Sequence, residues 1–365
     1  MTAYRTFEVA SALGDYAVSV HPSLLTSAEA ARPYLAELAG DYVVVADSRI
    51  AELCSDSPWF ADKSKVIPFV ATEATKTLDG VQELYRAFTD LKVRRSTTVV
   101  VVGGGVTQDT AGFACQTFLR GLKWWHLPTT LLAQADSSIG AKICLNFSTS
   151  KNILGLFGRA DRVLIDPQAV GSLPRNQRAS GCAELLKVFV MRGADAFTAY
   201  AADLDALLDA ESDACTRQIT AGLLVKKGYI EEDEFDRGKR QLLNYGHEFG
   251  HALEATTHFQ VPHGLAVAIG ISFANRLSQH RGRASADFVA PVDEVVYRLV
   301  RDLPTPQVRW ADLLHHLGQD KKKQVGKYLT VVVAHGFGDL EKLTDVTPGE
   351  AAEVAAGLDR IDLSA

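Results

Sequence analysis

A cluster of histidines carries the clearest chemical signal in this chain of 365 residues. His247 and His251 stand four residues apart in a segment predicted to be helical, so their rings lie on one face about one turn apart. His263 follows in a Pro-His-Gly turn. Imidazole is the commonest metal ligand near neutral pH, and a nearby carboxylate would add to the set. The sequence therefore predicts a divalent metal site.

The same segment allows three interpretations. Taken literally, His247-Glu248-Phe249-Gly250-His251 is the H-E-x-x-H pattern of zinc peptidases, with both histidines as ligands and the glutamate as base. A second interpretation takes His247 and His263 as ligands and leaves His251 for acid/base work or a phosphate contact. The third is a histidine pair that caps or packs a helix and binds nothing.

Three features bear on the peptidase interpretation. Gly250 inside the motif costs a helix about 1 kcal/mol relative to alanine. Thr257 occupies the position where the extended peptidase motif has its third histidine. Glu254 could still supply a third ligand, so the peptidase stays open as an alternative hypothesis.

Glycines and hydroxyls suggest a phosphate site earlier in the chain. Gly103-Gly104-Gly105 follows the apolar run 97–102 and opens a segment predicted to be helical. Glycines let a backbone approach a phosphate, and a helix N-terminus supplies amide donors, although the triplet also suits an ordinary tight turn. The connection 128–142 is rich in hydroxyls and contains Asp136 and Lys142. It suits a phosphate or a polyol; the alternative is a polar surface loop.

Other charged residues have sequence neighbours that favour a functional role. Glu184 and Lys187 are three residues apart in an apolar helical segment, which predicts either a buried functional pair or a solvated ion pair. Cationic and amide donors suited to carboxylate and phosphate groups lie further on, at Lys226, Arg240, Asn244, Lys321 and Lys322.

Bulk properties exclude several classes of protein. The 44 acidic and 38 basic residues give a formal charge of -6, so there is no basic footprint for nucleic acid. No apolar run is long enough to span a membrane, and the first residues have no apolar segment of a secretory signal. The five cysteines are scattered and odd in number, which is typical of thiols in a reducing compartment. We expect a cytoplasmic protein.

The order of elements predicts an α/β fold. Apolar, β-branched runs at 41–46, 97–102 and 163–165 alternate with helical segments, a pattern typical of a parallel, Rossmann-like sheet. After residue 174 the chain becomes rich in alanine and leucine at helical spacing, and only 329–333 resembles a strand. We predict an α/β domain at 1–174 and a mostly helical domain at 175–365.

Taken together and in this order, the motifs resemble those of the dehydroquinate synthase-like sugar phosphate cyclases. The resemblance covers residues 41–322, most of the chain. The matching motifs are Gly103-Gly-Gly-Val-x-x-Asp109, Arg120-Gly121, Pro128-Thr-Thr-Leu-Leu-Ala-Gln-x-Asp136-Ser-Ser, Lys151-Asn152, Glu184-x-x-Lys187 and Asn244-x-Gly-His247-x-x-Gly-His251.

The resemblance implies a complete set of site residues. It implies that Glu184, His247 and His263 bind Zn²⁺ or Co²⁺. The residues it implies for NAD are Asp47, Glu73, Lys76, Gly104, Gly105, Val106, Asp109, Thr129, Thr130, Lys142 and Lys151. Those it implies for the substrate are Arg120, Asp136, Lys142, Asn152, Lys187, Lys226, Arg240, Asn244, His251 and Lys322. In the family, the arginine at the position of Arg120 comes from the neighbouring subunit of a homodimer.

The resemblance also implies a reaction, that of a carbon–oxygen lyase acting on a small sugar phosphate. NAD⁺ takes a hydride from a ring carbinol, phosphate is eliminated, the hydride returns, and the opened ring closes again as a carbocycle. Arg240, Asn244 and His251 match the branch whose substrate carries a carboxylate. That substrate is 3-deoxy-arabino-heptulosonate 7-phosphate, and its product, 3-dehydroquinate, belongs to the shikimate pathway of aromatic amino acid biosynthesis.

Several residues depart from the pattern of that branch. Ala141 and Ile143 stand in a Gly-Gly-Lys-Thr motif, Leu265 replaces a glutamate, and Glu248 replaces a threonine. Residues 157–159, Phe-Gly-Arg, replace an aromatic-Gln-Pro run. A specialised cyclase of the valiolone or amino-dehydroquinate type is therefore an alternative. A metal-dependent alcohol dehydrogenase and a non-catalytic relative are further alternatives.

Overall fold

The computed structural model describes residues 5–148, 150–319, 328–358 and 362–364. They form two compact units. The first contains the chain up to Leu173 together with Ala210–Phe235, and the second contains Pro174–Asp209 and the chain from Asp236 onward. This division differs from a single boundary after residue 174, because the segment Ala210–Phe235 groups with the first unit.

Helices and strands alternate through the first half of the chain. Up to residue 173 they are β1 Arg5–Val9, β2 Tyr16–Val20, α1 Ala28–Glu37, β3 Tyr42–Asp47, α2 Ser48–Leu53, β4 Val66–Phe69, α3 Leu78–Asp90, β5 Thr98–Gly103, α4 Gly105–Thr117, β6 Trp124–Pro128, β7 Lys142–Phe147, β8 Ser150–Phe157 and β9 Arg162–Ile165.

Helices dominate the rest of the chain. From residue 174 onward the elements are α5 Arg175–Arg192, α6 Ala194–Leu208, α7 Ser212–Glu232, α8 His247–Thr256, α9 His263–His280, α10 Ala286–Val300, β10 Gln307–Arg309, α11 Trp310–Gln319, β11 Leu329–Gly336, β12 Asp339–Val346, α12 Pro348–Ala356 and β13 Asp362–Ser364. Within the described ranges, none of the helices is both long and apolar enough to cross a membrane.

The first unit is built around a seven-stranded sheet in the order β1-β2-β9-β6-β5-β3-β4. Across the sheet, every neighbouring pair from β2 through β9, β6, β5 and β3 to β4 is parallel. β1 pairs with β2 in the antiparallel sense. Valines at 43–45 and 99–102 are buried, as expected for central parallel strands covered on both faces. The predicted Rossmann-like α/β fold with a mostly helical remainder is confirmed. The carboxyl ends of β3, β5 and β6 bring Asp47, Gly103 and Pro128 to the same edge of the sheet.

Closely packed helices form the second unit. Residues 179–191 of α5 are all buried, which is typical of a helix surrounded by protein. Two glycines of α9 allow close backbone approach: a Cβ on Gly264 would lie 1.9 Å from Ser180 O, and one on Gly270 would lie 2.0 Å from Gly246 O. These contacts bring the start of α9 against α5, and its middle against the residue that precedes α8.

The prediction of strands was incomplete. β11 was predicted, but β12 pairs with it in an antiparallel hairpin, and β10 pairs with β13. In the first unit, the hairpin β7–β8 and the pair β1–β2 were not predicted. Their strands lack the continuous apolar runs that identify the central strands.

A buried histidine in β6 predicts a specific acid sensitivity of the first unit. Burial lowers the pKa of His126 to about 3, from an ordinary value of 6.5. An unfolded chain therefore binds a proton at this position between pH 6.5 and 3 while the folded chain does not, so the free energy of unfolding falls as the pH falls. This group should contribute about 4–5 kcal/mol of the loss by pH 3.

Replacing His126 with leucine should remove that contribution. Denaturant unfolding across this pH range should give a shallower loss of stability for His126→Leu than for the parent protein. His258→Ala removes a histidine from an exposed position and is the control. Parallel slopes for His126→Leu and the parent would contradict the prediction.

Candidate metal centre and cofactor site

Three helices of the second unit supply the candidate metal ligands. Glu184 lies in the middle of α5, whereas His247 and His263 are the first residues of α8 and α9. Gly246, the residue before His247, has a φ of 80°, and a Cβ there would lie 2.7 Å from Val267 O. Only glycine fits that turn without strain, and the turn places His247 at the start of its helix.

The distances between these side chains fit a shared metal ion. Glu184 Oε1 lies 3.6 Å from His247 Nε2 and 3.3 Å from His263 Nε2. Around a tetrahedral Zn²⁺ with bonds of about 2.0–2.1 Å, neighbouring ligand atoms lie about 3.3 Å apart. One carboxylate and two imidazoles are also a donor set that Zn²⁺ accepts. The residues present therefore fit a divalent ion.

Hydrogen bonds fix the direction in which the ligands face. His247 Nδ1 lies 3.2 Å from the carbonyl oxygen of Tyr245, and His263 Nδ1 lies 2.8 Å from Glu254 Oε2. A hydrogen bond at Nδ1 leaves Nε2 to bind a metal. On the other side of the cluster, Lys187 Nζ lies 2.6 Å from Glu184 Oε2. The predicted pair Glu184–Lys187 is thus a buried one, with side chains 1% and 2% exposed.

The electrostatics of the cluster favour a cation. Burial opposes ionisation of Glu184, but Lys187 and the two imidazoles hold the pKa of this carboxyl well below its usual range. Burial and the neighbouring Lys187 hold the pKa of His247 well below its usual range, so this imidazole is neutral, as a ligand must be. Against the effect of burial, hydrogen bonds to Glu184 and Glu254 raise the pKa of His263 to about 10. Between these two carboxylates, positive charge is stabilised.

His251 lies beside the other two histidines. Its ring centroid is 5.3 Å from that of His247 and 5.5 Å from that of His263, and the residue is exposed. Nitrogens of the three histidines lie within 4.8 Å of one another. A third ligand of the peptidase would have to share the metal ion with the histidines. Glu254 instead contacts Nδ1 of His263. The arrangement favours the interpretation in which Glu184 completes the metal site and His251 is left for substrate.

The glycine turn of the first unit has the features of a phosphate-binding turn. Gly104 precedes α4 and makes no side-chain cap. A Cβ on Gly104 would lie 2.7 Å from Thr130 Cγ2, whereas one on Gly105 would have only Ser137 Oγ, at 3.9 Å, within contact distance. The space beside Gly105 is open, and the start of α4 has no side-chain cap. An anionic ligand can therefore approach the amide N–H groups of the first helical turn. Val106 continues the first turn of α4, and Thr129 and Thr130 follow β6.

Five of the residues predicted to bind cofactor or substrate form one network. Lys76 Nζ lies 2.5 Å from Asp109 Oδ2 and 2.7 Å from Asn152 Oδ1. Lys151 Nζ lies 3.6 Å from Glu73 Oε2. Asn146, which was not predicted, joins the two parts: its side chain contacts Glu73 and the backbone of Asn152. Asn152, predicted to contact substrate, is thus held by a residue predicted to contact cofactor.

The remaining predicted residues lie in both units. In the first, Lys226 Nζ is 2.7 Å from Asp136 Oδ1, Asp47 accepts from Arg49 N at 2.9 Å, and Lys142 is exposed at the start of β7. In the second, Arg240 is buried in the turn Lys239–Asn244, which also contains Asn244. Lys321 and Lys322 lie outside the described residues.

Arg120 belongs to a strained turn of the first unit. Leu119, Arg120 and Gly121 have φ values of 51°, 66° and 114° in succession. Left-handed backbone costs a residue with a side chain about 1–2 kcal/mol. Both Leu119 and Arg120 are exposed.

The ion pair between Lys76 and Asp109 leads to a stability prediction. Lys76→Met should lower the free energy of unfolding by about 1–3 kcal/mol, because Asp109, whose side chain is only 16% exposed, loses its ammonium partner. Adding Asp109→Asn to that variant should restore part of the loss, and denaturant unfolding measures both. The prediction would be contradicted if adding Asp109→Asn to Lys76→Met lowered the free energy of unfolding by as much as Asp109→Asn does in the parent protein.

The first unit has a Rossmann-like sheet with a glycine turn, and the helical second unit has a buried carboxylate–imidazole cluster. These features define a class of two-part proteins suited to a nucleotide and a metal. Two family models match the chain. The model described as 3-dehydroquinate synthase N-terminal matches residues 66–180, and the one described as 3-dehydroquinate synthase C-terminal matches 181–323.

Curated relatives agree with the family models. The chain is 36% identical over 290 residues to the 3-dehydroquinate synthase of Caulobacter vibrioides, covering 77% of this chain and 78% of that protein. It is 34% identical over 299 residues to the 3-dehydroquinate synthase of Desulforamulus reducens, covering 80% and 82%. The chain belongs to the 3-dehydroquinate synthase family of sugar phosphate cyclases, and the resemblance of its motifs is confirmed.

Solved structures share the fold over nearly the whole chain. The 2-epi-5-epi-valiolone synthase of Streptomyces hygroscopicus subsp. jinggangensis, with NAD⁺ and Zn²⁺ bound, has a TM-score of 0.84 and 27% identity, covering 96% of this chain and 98% of that one. A 2-deoxy-scyllo-inosose synthase complexed with carbaglucose-6-phosphate, NAD⁺ and Co²⁺ has a TM-score of 0.87 and 24% identity, covering 97% and 100%. An iron-containing alcohol dehydrogenase, at 0.63 and 14%, shares the fold alone, covering 97% and 98%.

Proposed function

We propose that this enzyme is a carbon–oxygen lyase that converts a heptulose phosphate to a carbocycle with release of phosphate. The substrate that the site supports best is 3-deoxy-arabino-heptulosonate 7-phosphate, and the product is 3-dehydroquinate. The observation that carries the proposal is the clustering of Glu184, His247 and His263 at distances that suit one divalent ion. Among the relatives, the 3-dehydroquinate synthase of Caulobacter vibrioides matches the chain at 36% identity.

The proposed cofactors are NAD⁺ and Zn²⁺ or Co²⁺, as in the two synthase complexes described above. Glu184, His247 and His263 would hold the ion. Gly104, Gly105 and Val106 would approach the pyrophosphate of NAD⁺, together with Thr129 and Thr130. Asp47, at the end of β3, would contact the ribose. The network of Glu73, Lys76, Asp109 and Lys151 would support the same ligand, and Lys142 would contact it from the start of β7.

The chemistry that the cofactors supply when bound is transient removal of a hydride from a ring carbinol and polarisation of its oxygen. The chain's own side chains bind and orient the substrate. Lys187 engages Glu184 Oε2, which leaves Oε1 on the side of the imidazoles. His251, exposed beside both imidazoles, would exchange a proton with the substrate or contact its phosphate.

A buried guanidinium supports a carboxylate-bearing substrate. Arg240 is 3% exposed. Its fork of N–H donors matches a carboxylate in a bidentate manner. Asn244, at the other end of the same turn, would add a neutral donor. In the first unit, Asp136 anchors Lys226, and Lys76 anchors Asn152, so these two substrate contacts would be held in place.

A specialised cyclase is the second candidate, favoured by one backbone feature. Ala141 has a φ of 58°, in a region that favours glycine, at a position where the synthase pattern has glycine. A residue with a side chain therefore occupies a backbone position at which the synthase pattern has a residue without one. A cyclase of the valiolone or amino-dehydroquinate type would use the same metal and cofactor with a different ring substituent.

Phosphate release from a panel of heptulose phosphates tests the proposal. The purified enzyme with NAD⁺ and Zn²⁺ should release phosphate from 3-deoxy-arabino-heptulosonate 7-phosphate, and mass spectrometry should identify 3-dehydroquinate. A chelator and His263→Ala should each abolish the release. Product from a different heptulose phosphate alone would favour the second candidate.

Two controls separate the other classes of enzyme. Glu248→Gln should keep cyclase activity, because the proposed reaction does not use Glu248, whereas an H-E-x-x-H peptidase requires it as base. Net accumulation of NADH with a simple alcohol would indicate an alcohol dehydrogenase. No phosphate release from any heptulose phosphate would contradict the proposal.

We further propose a homodimer in which Arg120 of each subunit contacts the phosphate bound by its neighbour. Arg120→Ala and His263→Ala should each be inactive alone. Unfolding and refolding them together should restore about a quarter of the parent activity, because half of the dimers are mixed and each has one intact site. Size-exclusion chromatography checks the dimer. No recovery in a mixture that does form mixed dimers would contradict the shared site.

A further inference from the structure

A buried carboxylate stands directly behind one of the candidate ligands. Glu254 lies in the last turns of α8 and is 5% exposed. Its Oε2 is 2.8 Å from His263 Nδ1. Its main-chain oxygen accepts hydrogen bonds from Phe259 N at 2.7 Å and from Thr257 Oγ1 at 3.2 Å. The end of α8 and the connection to α9 thus hold both Glu254 and His263 in place.

The contact determines which nitrogen of His263 is free. A neutral imidazole that donates from Nδ1 to a carboxylate has its lone pair at Nε2, and Nε2 is the atom 3.3 Å from Glu184 Oε1. Nδ1 and Nε2 lie on opposite sides of the ring, so Glu254 is placed to orient His263 and not to bind the same ion. His247 has a neutral acceptor instead, the carbonyl of Tyr245 at 3.2 Å.

We propose that Glu254 is a positioning residue that holds His263 in the tautomer and orientation required for metal binding. The proposal rests on the metal site of the proposed function. A hydrogen bond to a carboxylate is shorter and stronger than one to a neutral carbonyl, and it makes the imidazole a stronger donor. The two histidine ligands are therefore unequal, and His263 depends on a side chain that a substitution can remove.

Co²⁺ binding tests this role without any reference to turnover. The protein freed of metal is titrated with Co²⁺ against a competing chelator, and the visible d–d bands of bound Co²⁺ report the ligand geometry. Glu254→Ala should weaken Co²⁺ binding about 10- to 100-fold and alter the bands. Glu254→Gln keeps an oxygen acceptor and should remain within a few-fold of the parent. Glu248→Gln makes the same chemical change elsewhere on α8 and should bind as the parent does.

A double-variant comparison keeps the test decisive. In a His263→Ala background, adding Glu254→Ala should cause no further loss of Co²⁺ affinity, because the residue that it positions is absent. Parent-like affinity and bands for Glu254→Ala, or equal losses in both backgrounds, would overturn the proposal. A parent protein that binds Co²⁺ but releases no phosphate would refute the cyclase function and leave the role of Glu254 standing. A parent that binds no Co²⁺ would refute both.

Discussion

Glu184→Gln is expected to remove bound metal and to reduce cyclase turnover about a thousandfold or more. The glutamine keeps the volume of the side chain but loses the charge that Zn²⁺ requires beside two neutral imidazoles. A thousandfold loss corresponds to about 4 kcal/mol of transition-state stabilisation, the scale expected for a lost metal ion. Metal analysis of the purified protein and an assay of phosphate release measure the two effects.

The buried partner of Glu184 gives this prediction its control. Glu184→Gln also leaves Lys187 without its carboxylate, since the two side chains are 2.6 Å apart and almost fully buried. The double variant Glu184→Gln/Lys187→Met should regain stability without regaining metal or activity. Retention of metal by a folded Glu184→Gln variant would show that three histidines, including His251, are the ligands.

Lys187→Met is expected to lower the free energy of unfolding of the metal-free protein by about 3–5 kcal/mol. The substitution leaves Glu184 as a buried charge without its ammonium partner. A divalent ion brings positive charge to the same carboxylate, so it should stabilise the variant more than it stabilises the parent. Thermal unfolding with excess Zn²⁺ and with a chelator should therefore give a larger difference in melting temperature for Lys187→Met.

A surface ion pair of the same chemistry provides the comparison. Lys227 Nζ lies 2.7 Å from Glu231 Oε2, but both side chains are about a quarter exposed. Lys227→Met should change the free energy of unfolding by only about 0.3–0.5 kcal/mol and should not alter the response to Zn²⁺. Equal responses to Zn²⁺ in Lys187→Met, Lys227→Met and the parent would show that Glu184 does not contact the ion.

The central sheet could be predicted from sequence because its strands are continuous apolar runs. β3 and β5 are buried on both faces and consist largely of valine. The hairpin β7–β8 gave no such signal, because all eight residues of β8 are exposed or half-buried. β12 was missed for the same reason: most of its eight residues are exposed.

The candidate ligands were identified in the sequence analysis, but the proposed role of Glu254 in orienting His263 was not. The spacing of His247 and His251 follows from helix geometry alone. Glu254 stands seven residues after His247 and therefore lies on the same side of α8, a signal that could have identified it. Its contact with His263, however, depends on a connection in which His258 and Phe259 have φ values of 50° and 62°. Sequence spacing does not report a backbone path of this kind.

In the first unit, the contacts in the network around Lys76 likewise could not be predicted from sequence spacing. Lys76 and Asn152 are 76 residues apart in the chain, yet their side chains are 2.7 Å apart. The two residues were predicted for different ligands, Lys76 for NAD and Asn152 for the substrate. Their contact arises because the antiparallel hairpin β7–β8 reaches the segment before α3, and neither the hairpin nor its register was predicted.

The turn at residues 119–121 has a consequence for protein engineering. Leu119 and Arg120 together hold about 2–4 kcal/mol of conformational strain, and such strain persists where it serves a purpose. Selection for heat resistance alone would reward substitutions that relax this turn. We expect thermostabilised descendants of this protein to accumulate glycine or asparagine there. Replacement of Arg120 would also remove the proposed phosphate contact, and catalytic rate should then fall. A library for industrial use should therefore be screened for activity in every round.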